Sequence, residues 1–215
     1  MFSNKAQTEK LIELFKKGTK LHYSKGEYII RPGEAPSGVY YIEDGLVKAF
    51  IITKYGEENL LHVRKHHEIF PLIWSITGQE IGVIYQALTP TTVWRLSVEE
   101  YNNALREEPE VLLPFLDIVI EMYRLHSARI LNLQYRTVRE RLISFLVTMA
   151  NRFGEKSEDG VLINVPLRHQ DIASSINASR ETTTRELIGL EKKGLVINRT
   201  PYLTIKDIAS LEKYL

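Results

Sequence analysis

The stretch Pro166–Ile205, PLRHQDIASSINASRETTTRELIGLEKKGLVINRTPYLTI, decides how the C-terminal part of the chain folds. His169 to Ile176 reads as a two-turn helix, with Ile172 and Ile176 four residues apart and the small Ala173 permitting close helix approach. Asn177-Ala178 is too short for a loop and suits a tight turn, because Asn tolerates left-handed backbone angles. Ser179 is a good N-cap for the next helix, which runs to Lys193 and is stopped by Gly194. Leu187 and Leu190 supply its inward face. Leu195–Ile197 and Tyr202–Ile205 then form the two strands of a wing around an Arg199-Thr200-Pro201 turn.

Helices joined by so short a turn cross steeply, which lets the second project into a DNA major groove. Its first turns expose Arg180, Glu181, Thr184 and Arg185. Each arginine can pair bidentately with guanine O6 and N7, and Glu181 can accept from cytosine N4. Thr182 and Thr184 suit phosphate or thymine-methyl contacts. Taken singly, these charges would serve as well on a solvated helix face, with Glu181 and Arg185 as an i,i+4 pair. The turn, cap, glycine stop and wing together favour DNA.

Outward from this stretch, a chain of 215 residues accommodates two domains, and 44% hydrophobic with 26% charged residues is an ordinary globular composition. No apolar run is long enough to span a membrane. The N-terminus MFSNKAQTEK lacks the apolar core of a signal peptide, and the absence of cysteine rules out thiolate metal sites and disulfides. A cytoplasmic protein without a membrane partner is expected. The net charge is only +1, but residues 1–133 carry 15 basic against 17 acidic side chains and residues 134–215 carry 13 against 10. That asymmetry weakly favours an anionic partner at the C-terminal end.

A short amphipathic helix with Leu11, Ile12 and Phe15 on one face opens the chain. From about Leu21 to Leu96, runs such as EYII, GVYYI, LVKAFII, NLLHV, GVIYQAL and TTVWRL alternate with turn residues, the pattern of an antiparallel sandwich or roll. Asp44-Gly45 is expected to close a hairpin. A short helix capped by Ser97 precedes a long one, about Glu110 to Leu133, in which Pro114 should kink or restart the helix. The long helix carries two apolar stripes. Leu112, Leu116, Val119, Tyr123, His126, Ile130 and Leu133 follow a coiled-coil seam; Val111, Phe115, Ile118, Met122 and Leu125 form the other. Two stripes require two partners: the β-roll, and a symmetry-related copy of the helix as a homodimer interface. One helix buried within a monomer's core is the alternative. Next come a helix from about Thr137 to Phe153 and the polar loop GEKSEDG.

SRETTTRELIGLEKKGLV, preceded by HQDIASSI, resembles the helix-turn-helix of the CRP/FNR family of bacterial regulators, and GEYIIRPGEAPSGVYYIEDGLVKAF resembles the first half of that family's cyclic-nucleotide-binding-type β-roll. The resemblance extends over nearly the whole chain. It implies an α+β protein with an antiparallel, jelly-roll-like β-roll (residues 1–109), a long dimerisation helix (110–133) and a winged helix-turn-helix (134–215). Its partners would be double-stranded DNA with a palindromic operator, a second copy of the chain and RNA polymerase; no enzymatic activity is implied. Arg180, Glu181 and Arg185 match the family's base-reading set, and His169 and Gln170 sit where phosphate contacts are made. Arg168 replaces the usual capping threonine at a cost of about 1 kcal/mol in cap stability, and can meet a phosphate instead. With Ser179, Thr182, Thr184 and the wing's Arg199 these form the expected DNA-binding set.

The resemblance weakens at the effector pocket. Leu72 stands where cyclic-nucleotide binders have the ribose-binding acid, and Ile81 and Gly82 replace the phosphate-binding Arg and its hydroxyl partner. A buried phosphate without a cation is strongly disfavoured, so usual cyclic AMP binding is not expected. Phe70, Leu72, Trp74, Ile81, Gly82, Tyr85 and Tyr123 are candidate pocket residues, although such side chains more often simply fill the roll. The effector is unknown, and no cofactor, metal site or catalytic residue is assigned. His62, His66, His67 and Glu68 raise a cupin-like metal enzyme as an alternative that lacks further ligands. A haem sensor, with His126 or His67 as ligand, is another.

Overall fold

The computed structural model of the chain describes residues 3–215; Met1 and Phe2, on which the leader reading partly rests, lie outside them. The chain divides into two units, residues 3–51 with 61–126, and residues 52–60 with 127–215.

In the first unit, α1 (Lys5–Lys16) is capped by Asn4, which accepts from the Gln7 backbone N–H while the Gln7 side chain accepts from that of Asn4. Strands β1 (Thr19–Tyr23), β2 (Tyr28–Ile30), β3 (Val39–Asp44), β4 (Val47–Ile52), β5 (Glu58–Arg64) and β6 (Ile69–Phe70) follow, with Ile52 of β4 and residues 58–60 of β5 belonging to the second unit. Then come α2 (Leu72–Thr77), β7 (Ile84–Ala87), β8 (Thr91–Leu96), α3 (Val98–Glu107) and α4 (Pro109–Tyr135), whose last residues belong to the second unit. The strands form two four-stranded sheets, ordered β1-β8-β3-β6 and β2-β7-β4-β5.

β3 explains why the central runs lack polar alternation: both of its faces are covered. Val39 and Tyr41 join Phe15, Ile69, Tyr101, Val111 and Phe115 in one core. Tyr40 and Ile42 join Val47, Ala49, Phe70 and Tyr85 in the other, between the sheets. The period of two along the strand assigns neighbours to different cores.

Two expectations are corrected here. Asp44-Gly45 does not close a hairpin, because β3 pairs with β8 and β6 while β4 pairs with β7. The turn instead passes the chain from one sheet to the other. Gly45, at φ +91, lies where a Cβ would meet the Pro90 carbonyl oxygen at 2.4 Å, and the Leu46 N–H donates to Thr89 Oγ1 at 2.9 Å. Nor does Pro114 restart the long helix. α4 runs unbroken from Pro109 to Tyr135, since a proline so near the N-terminus removes one ladder hydrogen bond and leaves the rest intact.

The second unit opens its helical part with α5 (Val138–Phe153), capped by Thr137 and Glu140. It continues through β9 (Gly154–Ser157), β10 (Gly160–Ile163), α6 (His169–Ser175), α7 (Arg180–Lys192), β11 (Val196–Arg199), β12 (Tyr202–Ile205) and α8 (Ile208–Glu212). Its sheet is ordered β11-β12-β10-β9. The GEKSEDG segment, expected as a loop, is therefore mostly strand. β9 is an edge strand with every residue exposed, so it carries no apolar alternation to read. Leu142, Leu146, Ile163, Ile172, Leu187, Val196, Ile205 and Leu211 form the core beneath.

Candidate nucleic-acid interface

α6 and α7 are set by their caps. The arginine at the N-cap of α6 has no side-chain acceptor, and the Asp171 carboxylate serves instead, accepting from the Arg168 backbone N–H at 2.9 Å. The same carboxylate binds the Arg168 guanidinium twice, Nε to Oδ2 at 3.0 Å and Nη2 to Oδ1 at 2.9 Å. Arg168 Nη2 also reaches Glu58 Oε2 at 3.3 Å. This guanidinium, expected at a phosphate, is thus engaged by two carboxylates within the unit. Residues 52–60 carry a further tie to α6, from the Leu60 N–H to Ser174 Oγ at 3.1 Å.

Asn177, at φ 51, makes the turn, and Ser179 caps α7 by accepting from the Thr182 N–H at 3.1 Å. Leu187 and Leu190 of α7 are buried, whereas Arg180, Glu181 and Arg185 are exposed in its first two turns, Glu181 and Arg185 on the face away from the core and Arg180 at the helix end. The Glu181 carboxyl is held below its ordinary value by its own backbone N–H and then by Ser179. It is an ionised acceptor at neutral pH. Thr182 and Thr184 are half-buried, and Gln170 is exposed at the start of α6.

The wing is a tight hairpin. Arg199, expected in its turn, lies on β11 opposite Tyr202, leaving Thr200-Pro201 as the turn. The Arg199 guanidinium pairs with Asp159 at 3.2 Å. His169 does not stand open to solvent on both nitrogens. Nδ1 lies 3.0 Å from Thr184 Oγ1, and Nε2 lies 3.3 Å from both Asn198 Nδ2 and Thr200 Oγ1. No local spacing links Asn198, Thr200 or Glu58 to the residues they hold, whereas Asp171, three residues after Arg168, stands at the capping-box spacing that marks it in the sequence.

In the first unit, the candidate pocket residues are not brought to one lining. Phe70 and Tyr85 stack at 4.6 Å inside the core between the sheets. Leu72 packs against the other core, and Trp74 is half-buried. Ile81 and Gly82 lie on an exposed segment, and Tyr123 is 73% exposed on α4. A buried pair the sequence did not advertise, Arg64 and Glu68, sits near Tyr85, with Arg64 Nη1 3.5 Å from Glu68 Oε2.

The histidines separate. His62 meets His126 edge to face at 5.4 Å, while His66 lies against His67, which bonds the Tyr41 hydroxyl. Among the described residues, no group of three or more His, Asp or Glu is gathered to hold a metal. No helix among them is long and apolar enough to cross a membrane. On α4 the two stripes diverge: Val111, Phe115 and Met122 are buried, while Leu116, Tyr123, His126 and Ile130 are exposed. Leu112 and Val119 lie between, packed at the edge of the core.

Comparison with known proteins agrees with this layout. Residues 20–108 match the cyclic nucleotide-binding domain, and residues 140–214 match the Crp-like helix-turn-helix domain. The global nitrogen regulator of Synechocystis sp. is 31% identical over 193 residues, covering 89% of this chain and 86% of the relative. The anaerobic regulatory protein of Bacillus subtilis is 26% identical, covering 83% of this chain and 75% of its own. Among solved structures, a CooA mutant from Carboxydothermus hydrogenoformans shares the fold, with a TM-score of 0.78 at 23% identity over 94% of this chain and 89% of that one.

Proposed function

The chain belongs to the CRP/FNR family of transcription regulators, and from that membership and the exposed face of α7 we propose that it reads a two-fold symmetric operator as a homodimer. The observation that carries the reading is the joint exposure of Arg180, Glu181 and Arg185 in the first two turns of a capped helix whose Leu187 and Leu190 are buried. Three side chains of that chemistry at the exposed N-terminal end of one helix supply the donors and the acceptor that distinguish base pairs. Ser179, Thr182, Gln170 and Arg199 stand around them as phosphate-side groups, as does Arg168 once its carboxylate partners release it.

The exposed stripe Leu116, Tyr123, His126 and Ile130 is the surface a second copy of α4 covers, with Leu112 and Val119 at its margin. Two recognition helices then meet half-sites about one helical turn apart. The functional division is an effector roll to residue 109, a dimerising helix to 133 and a DNA-reading head beyond it, with the junction before Thr137 as hinge. RNA polymerase is the protein partner that this role implies.

Control by cyclic AMP is not part of the reading, because Leu72, Ile81 and Gly82 offer neither an acid for the ribose nor a cation for the phosphate. Fluorescence anisotropy against symmetric promoter-derived duplexes at several salt concentrations tests the proposal. Specific binding that weakens by about 0.9 log units per log unit of salt for each phosphate engaged is expected. Equal affinity for every duplex would overturn it.

A further inference from the structure

We propose that His169 is a specificity-determining positioning residue, which locks Thr184 of the recognition helix to the wing instead of binding a DNA phosphate. The proposal rests on α7 being the base-reading helix.

The hydrogen-bond chemistry around the ring is self-consistent. Thr200 Oγ1 donates to Asn198 Oδ1 at 2.9 Å, which orients the Asn198 amide with its NH₂ toward His169. An amide NH₂ only donates, so Nε2 of the imidazole is the acceptor and the ring proton sits on Nδ1. That proton is donated to Thr184 Oγ1, 3.0 Å away. Both ring nitrogens are thereby spent inside the unit. A phosphate oxygen accepts only, and in this tautomer the ring has no second N–H to offer one.

What the imidazole does instead is join three elements. It sits at the start of α6, touches the middle of α7 through Thr184, and holds the wing through Asn198, whose amide Thr200 orients. The Asn198 N–H closes the frame by donating to Glu191 Oε1 near the end of α7, at 3.3 Å. Threonine in a helix divides between two χ1 rotamers. Accepting from His169 selects one, and so fixes where the Thr184 γ-methyl stands beside Arg180 and Arg185. A thymine methyl is recognised by such apolar contact, so the rotamer is a determinant of base preference.

The experiment measures affinity of the full-length chain for the preferred duplex and for a panel of its single-base variants, each at several salt concentrations. His169→Ala is expected to weaken the preferred duplex about fivefold. It should also reorder the panel while leaving the salt slope unchanged. Thr184→Val, which keeps the shape and removes the hydroxyl, should reorder the panel in the same way, and the double variant should add nothing further. His169→Asn, which places an amide N–H near the Nδ1 position, should restore the wild-type order. A uniform loss on every duplex with the salt slope reduced by about one unit identifies a phosphate ligand and overturns the proposal. Should His169→Ala not fold, Thr184→Val decides alone: an unchanged panel order rejects the positioning role. If Arg180→Ala and Arg185→Ala also leave the order unchanged, the assignment of α7 fails, a result distinct from failure of the His169 role.

Discussion

Arg141 Nη2 donates to the carbonyl oxygen of Asn177 at 3.2 Å, binding the first turns of α5 to the left-handed residue on which the helix-turn-helix pivots. The arginine satisfies a turn carbonyl from outside the motif. Arg141→Ala should lower the stability of the DNA-binding unit by about 1–2 kcal/mol, the size of a hydrogen bond to a charged donor. At φ 51, Asn177→Val should cost about 1–2 kcal/mol and Asn177→Gly little. Urea unfolding followed by circular dichroism checks both.

The helix-turn-helix was legible in the sequence because its determinants are local. Ser179, Asn177 and Gly194 each dictate backbone geometry within a few residues, and the i,i+4 spacing of Ile172 and Ile176 marks the buried face. The two-stripe pattern of α4 was legible for the same reason. The edge strand β9 was not, since an exposed edge carries no apolar period. The sheet exchange at Asp44-Gly45 also escaped, because a turn dipeptide specifies a bend and not the partner strand. The engagement of Arg168 by Glu58 joins positions 110 residues apart, and nothing short of the fold brings them together.

The proposed base readers give a sharper expectation. Arg180→Ala and Arg185→Ala should each erase about 1–3 kcal/mol of discrimination at one base pair per half-site, while binding to unrelated DNA changes far less. Glu181→Gln keeps the size of the side chain, removes the charge and adds a donor, so its base preference should broaden away from cytosine. Competition binding with single-base operator variants reads all three.

The exposed stripe of α4 predicts an assembly. Tyr123 is 73% exposed and Ile130 57%, areas of apolar surface that a lone helix would leave in water. The wild-type chain should sediment as a dimer and Leu116→Glu combined with Tyr123→Glu as a monomer in sedimentation velocity, with the fold retained because neither side chain is buried within its own unit. Affinity for the full operator should then fall by about a hundredfold or more, toward that of one half-site, as the linkage between the two heads is lost.

His67 and Tyr41, which bond each other, are two of the groups that shape the acid–base behaviour of the roll. Burial, then the charges of His66 and Lys65, hold His67 below its ordinary value of 6.5. Burial, then Glu43, pushes the Tyr41 hydroxyl up to about 12. The two shifts act on opposite arms. Between the lowered folded value and about 6.5, the unfolded chain binds more protons at His67, so this histidine's contribution to stability is present above that window and lost as pH falls through it. For Tyr41 the contribution is present below the ordinary value of 10.0 and lost as pH rises from there toward about 12. His67→Asn removes the titration, and asparagine tolerates the left-handed backbone at φ 66. Urea midpoints measured from pH 5 to 8 should therefore fall less steeply on the acid side for His67→Asn than for the wild type. Tyr41→Phe should lessen the loss above about pH 10.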